Sequence, residues 1–126
     1  MIRSFDLTKL KAWLSCADYY QKGTALNIAW HEGIADPTVI ELIERLVLTD
    51  DSDDIRCDAI RCLGDLGHPR SRECLIKALE DNHFLARGHS VLSLEKIDPS
   101  FQQIQEIQTL IEEETHPFVR WALGID

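Results

Sequence analysis

The sequence predicts an all-α fold, an α-α superhelix of about four antiparallel helix pairs, on three observations. The first is a copy: shifting residues 50–66 by 31 lays Asp50 on Asp81, Arg56 on Arg87, Ile60 on Val91, Leu63 on Leu94 and Leu66 on Ile97. The second is punctuation, since Pro37, Pro69 and Pro99 each follow an Asp or His and stand 32 and 30 residues apart. The third is apolar spacing at three and four residues in almost every segment. A fixed period near 30 marks an array in which each helix pair buries its apolar face only by stacking on the next.

Taken in order, Leu7, Leu10, Trp13 and Leu14 predict a first helix over 6–16 with Asp6 as its N-cap. After a break at 17–21, Leu26, Ile28, Ala29 and Trp30 predict a second helix over 22–33, stopped by Gly33. Asp36-Pro37 opens a third, with the carboxylate capping and proline at a position where no N–H is needed. Four aspartates, Asp50, Asp51, Asp53 and Asp54, precede the fourth; negative charge at a helix start is favourable, and capping accounts for most of them. That helix turns Ile55, Ala59, Ile60, Leu63 and Leu66 inward and ends at Gly67, while Asp54, Asp58, Arg61 and Asp65 form a solvated stripe. His68-Pro69 opens another helix, residues 85–97 form its partner, Asp98-Pro99 opens again, and 118–123 is a short last helix after His116-Pro117. Glu112, Glu113 and Glu114 sit badly at a helix C-terminus, which suits them better to starting the next turn. The whole chain, 1–126, is read as one domain of four repeats at about 6–33, 36–67, 68–97 and 98–124.

Composition narrows the class of function. With 44% apolar residues in 126, one core can be buried. The 13 basic and 22 acidic residues leave a net charge of −9, distributed as 0 over 1–36, −5 over 37–66, +1 over 67–97 and −5 over 98–126. Such a chain has little to grip phosphate with, so nucleic acid and anionic membrane are not expected, and the charge suits a basic protein partner or simple solubility. No apolar run spans a bilayer, and the N-terminal stretch lacks a leader's apolar core, so the expected location is cytoplasmic. Cys16, Cys57, Cys62 and Cys74 fall at apolar helix positions without zinc-site spacing and are read as reduced core residues.

Asp followed six residues later by Arg, with a small or aliphatic residue just before the Arg, occurs as Asp50/Ile55/Arg56 and Asp81/Ala86/Arg87, with Glu114/Val119/Arg120 as a weaker copy. Residues 59–69 add the tail Ala-Ile-x-x-Leu-Gly-x-Leu-Gly-x-Pro. Over about residues 36–124 the chain resembles the HEAT repeat, most closely the HEAT-like repeats of phycobilisome lyases. The resemblance implies that Asp50, Arg56, Asp81, Arg87 and Arg120 form a structural ladder between neighbouring repeats. It also implies that Gly64, which is Glu95 in the next copy, permits close helix approach. The first pair, with Asp18 and Thr24 at the six-residue spacing, departs further and resembles a cap.

No complete catalytic set is visible. Trp30-His31-Glu32-Gly33 holds the only His-Glu pair, whereas the HEAT-like di-iron hydroxylases need several. The aspartate cluster has no glycine where a calcium loop requires one. Gly64 and Gly67 close a helix rather than open one, so they cradle no phosphate. No catalytic, cofactor or metal residue is therefore assigned, and no cofactor is expected.

The expected function is a non-catalytic scaffold that binds a protein partner on the concave face made by the second helix of each pair. The candidate residues are Asp54, Asp58, Arg61 and Asp65 in one repeat and, in register, Leu85, His89, Leu92 and Lys96 in the next. A slip of one residue would turn Leu85 or Leu92 into core. Two other readings share the fold: an immunity-type protein that neutralises a toxin, and a phycobilin lyase or chaperone-type subunit.

Overall fold

In the computed structural model, which describes residues 6–125, six of the eight α-helices open on a side chain that takes up an otherwise orphaned backbone N–H. Residues 1–5, part of the stretch read above for a leader, and residue 126 lie outside the described residues. Asp6 caps α1 (Leu7–Leu14), Asp18 caps α2 (Tyr19–Glu32) and Asp36 caps α3 (Pro37–Thr49). Ser52 caps α4 (Asp53–Leu66) by accepting from the Ile55 N–H. The third pair is α5 (Arg72–Ala78), entered through one 3-10 turn at Pro69–Ser71, and α6 (Phe84–Ile97). The fourth is α7 (Gln105–Glu113), entered through a 3-10 turn at Phe101–Gln103, and α8 (Pro117–Ala122). Among the described residues there is no strand.

The local readings need three corrections. The second helix starts at Tyr19 rather than residue 22, because Asp18 already supplies the cap by accepting from Gln21 N–H at 2.8 Å. The cap of α4 is Ser52 and none of the four aspartates; Asp53 and Asp54 lie in its first turn. His68-Pro69 and Asp98-Pro99 open 3-10 turns before their helices, and in the second case the helix proper is delayed to Gln105.

The helices lie in two layers. The second helices α2, α4, α6 and α8 run side by side, the first helices α1, α3 and α5 do the same, and each of these packs on its own partner. Between the layers lies one continuous core in which Leu10, Leu26, Ile40, Ile43, Ile60, Leu63, Leu75, Val91, Leu94, Ile107 and Val119 are essentially inaccessible to solvent. The closest approaches fall in the second-helix layer. At Gly64 on α4 a methyl group would lie 2.9 Å from the Ser93 Cα of α6, and at Gly88 on α6 one would lie 2.2 Å from the Phe118 ring of α8. Ser93 completes the first contact by donating its hydroxyl to the Ile60 carbonyl at 3.1 Å.

Two glycine-to-alanine changes should therefore move stability in opposite directions. At Gly23 in α2 the new methyl meets only Ile55 Cδ1 at 3.8 Å, so Gly23→Ala is expected to stabilise by about 0.5–1 kcal/mol through helix propensity. Gly64→Ala gains the same propensity but must push backbone away from backbone, and a net loss of about 1–2 kcal/mol is expected. Thermal melts of the two variants beside the parent chain read the sign directly.

Candidate protein-binding face

Three of the four turns between a first and a second helix hold an acidic side chain with three kinds of partner. Asp81 accepts from Arg56 Nε of the preceding repeat at 2.8 Å and from the His83 N–H at 2.9 Å, while its backbone carbonyl accepts from Arg87 Nη1 at 3.1 Å. Glu114 repeats the pattern, accepting from Arg87 Nε at 2.7 Å and the His116 N–H at 2.9 Å, with its carbonyl taking Arg120 Nη1 at 3.1 Å. Asp50 does likewise with the Ser52 N–H at 3.0 Å and, through its carbonyl, with Arg56 Nη1 at 3.0 Å. Its cation from the preceding repeat is Lys22. The carboxylates are nearly buried, their side chains 6%, 9% and 5% exposed at Asp50, Asp81 and Glu114.

Lys22 was missed in the sequence because the acid-to-cation spacing was laid on Asp18 and Thr24. The spacing that repeats runs from the cap: Lys22, Arg56, Arg87 and Arg120 each stand four residues past the N-cap of their helix. Two residues before each cap stand Cys16, Asp50, Asp81 and Glu114. The first repeat thus lacks the acid but keeps the cation.

Charge pairing shifts Asp81, Glu114 and Arg56. Burial raises the Asp81 carboxyl, but donation from Arg56 and from the His83 N–H outweighs it and holds the group below the usual carboxylate range. Arg87 holds Glu114 down against opposing burial in the same way, and the Asp81 carboxylate raises the Arg56 guanidinium.

The outward positions of the second helices make a different surface. Two residues past each N-cap stand Tyr20, Asp54, Leu85 and Phe118, the first row of that face. Leu85 is 37% exposed and Leu92 half-buried, so neither belongs to the core. Asp65 is the hub of the far end: it accepts from Trp30 Nε1 of α2 at 2.6 Å and pairs with Lys96 of α6, whose hydrogen bond lowers its carboxyl. Arg61 lies over the Trp30 ring, 5.0 Å from its centroid. Arg61, Asp65, His89, Leu92 and Lys96 line one groove of about 280 Å³ together with Ser93 and Glu95. Asp54, Asp58 and Leu85 lie outside that lining. Burial, with Arg61 and Lys96 nearby, lowers the His89 imidazole and favours its neutral form. Its ring sits 5.3 Å from that of Phe118, which stacks in turn on Trp121 at 6.0 Å; Trp121 is 64% exposed.

Sequence reasoning missed the part of Trp30 and the Tyr19–Asp54 contact on this face, because these contacts join helices about one repeat apart. Burial also decides the cysteines' chemistry. Cys57 is pushed up to about 11, and Cys62 and Cys74 to about 12, so their thiols are poor nucleophiles at neutral pH. The described residues contain no group of three or more His, Cys, Asp or Glu side chains arranged to hold a metal ion, and no helix long and apolar enough to cross a membrane.

Stacked helix hairpins joined by a repeating acid–cation rung define an α-solenoid. The HEAT-repeat profile matches residues 7–95 and again 40–125, and the chain belongs to the HEAT-repeat family. Among solved structures, the complex of CpcE and CpcF of phycocyanin lyase from Nostoc sp. PCC7120 is similar, with a TM-score of 0.72 at 17% identity over 98% of this chain. This chain spans 58% of that one, and at this identity the likeness is one of fold. A search of curated proteins finds no match.

The rungs carry two predictions. Arg87→Ala leaves the buried Glu114 carboxylate without its cation and should cost about 1–4 kcal/mol in a urea titration. Acid should act through the same groups: Asp81 and Glu114 are depressed in the fold, so their contribution is complete above unfolded values near 4 and is lost as pH falls through the lower folded values. The urea midpoint should therefore drop between about pH 5 and pH 2.5, and drop less steeply in Asp81→Asn.

Proposed function

We propose that this chain is a non-catalytic scaffold that holds another protein on the face of its second helices. The observation that carries the reading is the composition of that face. Leu85, His89, Leu92, Phe118 and Trp121 offer an apolar and aromatic half on α6 and α8, while Asp54 and Asp58 offer an acidic half on α4. Apolar residues flanked by charge suit a partner that is steered by electrostatics and retained by desolvation. With a net charge of −9, a basic partner fits best.

A second reading is a subunit of a phycobilin lyase, supported by the likeness in fold to the CpcE and CpcF complex of phycocyanin lyase. Mixing the chain with apo-phycocyanin and free bilin separates the two: covalent bilin attachment, seen as colour that survives denaturation, would favour the lyase.

For the scaffold, the test is kinetic, on a partner captured from the native host and then purified. Asp58→Lys should slow association several-fold and flatten its salt dependence, whereas Leu85→Ala should mainly speed dissociation. Asp65 is a poorer probe, since Trp30 and Lys96 would both lose a partner. Rates unchanged by both substitutions would move the binding site off this face.

A further inference from the structure

The acidic half of this face has a feature that the fold does not use. Tyr19 and Tyr20, on the first turn of α2, stand 44% and 79% exposed with their rings edge to face at 5.2 Å. Tyr19 donates its hydroxyl to Asp54 Oδ2 on α4 at 3.3 Å, so the aromatic pair is tied to the carboxylate across the gap between two repeats. Asp58 stands one turn further along α4 on the same stripe.

Among the described residues the nearby cations are drawn mainly elsewhere. Lys22 is on Asp50, Arg56 is on Asp81 and Asp53, and Arg61 lies over the Trp30 ring with only a 3.9 Å contact to Asp58. Among the described residues no cation lies within ion-pair distance of Asp54. The local field shows in the neighbours: Asp54 raises the Tyr19 hydroxyl, and burial, with Asp54 adding, raises the Asp58 carboxyl despite Arg61.

Two exposed aromatic rings beside Asp54, which has no ion-pair partner among the described residues, and Asp58, held only loosely by Arg61 at 3.9 Å, have the chemistry that receives a planar cation. A guanidinium can lie on a tyrosine face while its N–H fork meets a carboxylate, which an ammonium does less well. From this charge complementarity we infer that Tyr19, Tyr20, Asp54 and Asp58 form the docking point for an arginine side chain of a partner protein. The inference rests on the scaffold reading and deepens it, by naming which residue type of the partner meets the acidic half. The next position in the same row is Leu85, so the arginine sits beside the apolar half of the face.

A fluorescent hexa-arginine peptide and its citrulline counterpart, which keeps the shape and removes the charge, serve as probes. In the full chain the arginine peptide should move the backbone amide resonances of Tyr19, Tyr20, Asp54 and Asp58, and the citrulline peptide should not. Tyr20→Ala and Asp54→Asn should each weaken binding about 3- to 5-fold, while Glu112→Gln, which removes an equal charge from an exposed site on α7, should change it less than about twofold. Tyr20 and Asp54 are exposed, so circular-dichroism melts of their variants should match the parent and rule out misfolding as the cause. Equal loss in Glu112→Gln, resonance changes elsewhere, or no binding at all would each overturn the arginine contact. With a purified partner, insensitivity to Tyr20→Ala and Asp54→Asn but sensitivity to Leu85→Ala overturns this contact and leaves the scaffold standing; insensitivity to all three removes both.

Discussion

The structure depends on a carboxylate placed where no repeat can satisfy it alone. Asp50, Asp81 and Glu114 are nearly out of water, and a buried carboxylate is costly unless it is both paired and hydrogen-bonded. Each takes a backbone N–H from its own turn, Glu114 two, and its cation from the repeat before, while its carbonyl receives the arginine of its own repeat. The rung therefore fixes two things together, the shape of the inter-helix turn and the spacing between neighbouring repeats. Removing one arginine disturbs both, which is the nearest-neighbour coupling expected of a solenoid.

With register held by the rungs and by the glycine contacts, the outward positions of the second helices are free to vary. The first row reads Tyr20, Asp54, Leu85 and Phe118, four chemistries at one structural position. The buried positions show no such freedom: Ile60 and Val91 are interchangeable aliphatics, as are Leu63 and Leu94, and all four are fully buried. The repeat thus explains the buried face of these helices and leaves the outward face undetermined.

Much of the architecture was legible because helix period, proline openers and a copied segment are local signals. What escaped was also physical. Asp18 stands before Tyr19-Tyr20, a pair that does not announce a helix start, so α2 was begun late and its cation was sought at Thr24 when it is Lys22. Ser52 hides among four aspartates, each an acceptable cap by chemistry, and only geometry decides that its hydroxyl meets the Ile55 N–H. On the candidate face, α4 and α6 positions could be listed from register alone. Their partners could not: Trp30 meets Asp65 and Tyr19 meets Asp54 from 35 residues away, and the spacing of a repeat does not say which long side chains touch across it.

Charge on that face has an energetic consequence for the free protein. Asp54 and Asp58 stand one turn apart on one helix with only Arg61, 3.9 Å from Asp58, to offset them, an arrangement in which like charges at i and i+4 cost a few tenths of a kcal/mol. Relief by an internal lysine would be simple, as Lys96 relieves Asp65 one repeat further on. Instead the neighbouring cations are drawn into the rungs or onto Trp30, so that the repulsion persists at the position where Tyr19 and Tyr20 are exposed. An arginine arriving from a partner removes that repulsion, and whatever binds the folded chain alone also stabilises it by mass action. Asp54 also gains from its place in the first turn of α4 and from the Tyr19 hydroxyl, so neutralising it shifts the free chain by no more than a few tenths of a kcal/mol, and on the arginine-docking proposal the larger effect falls on binding.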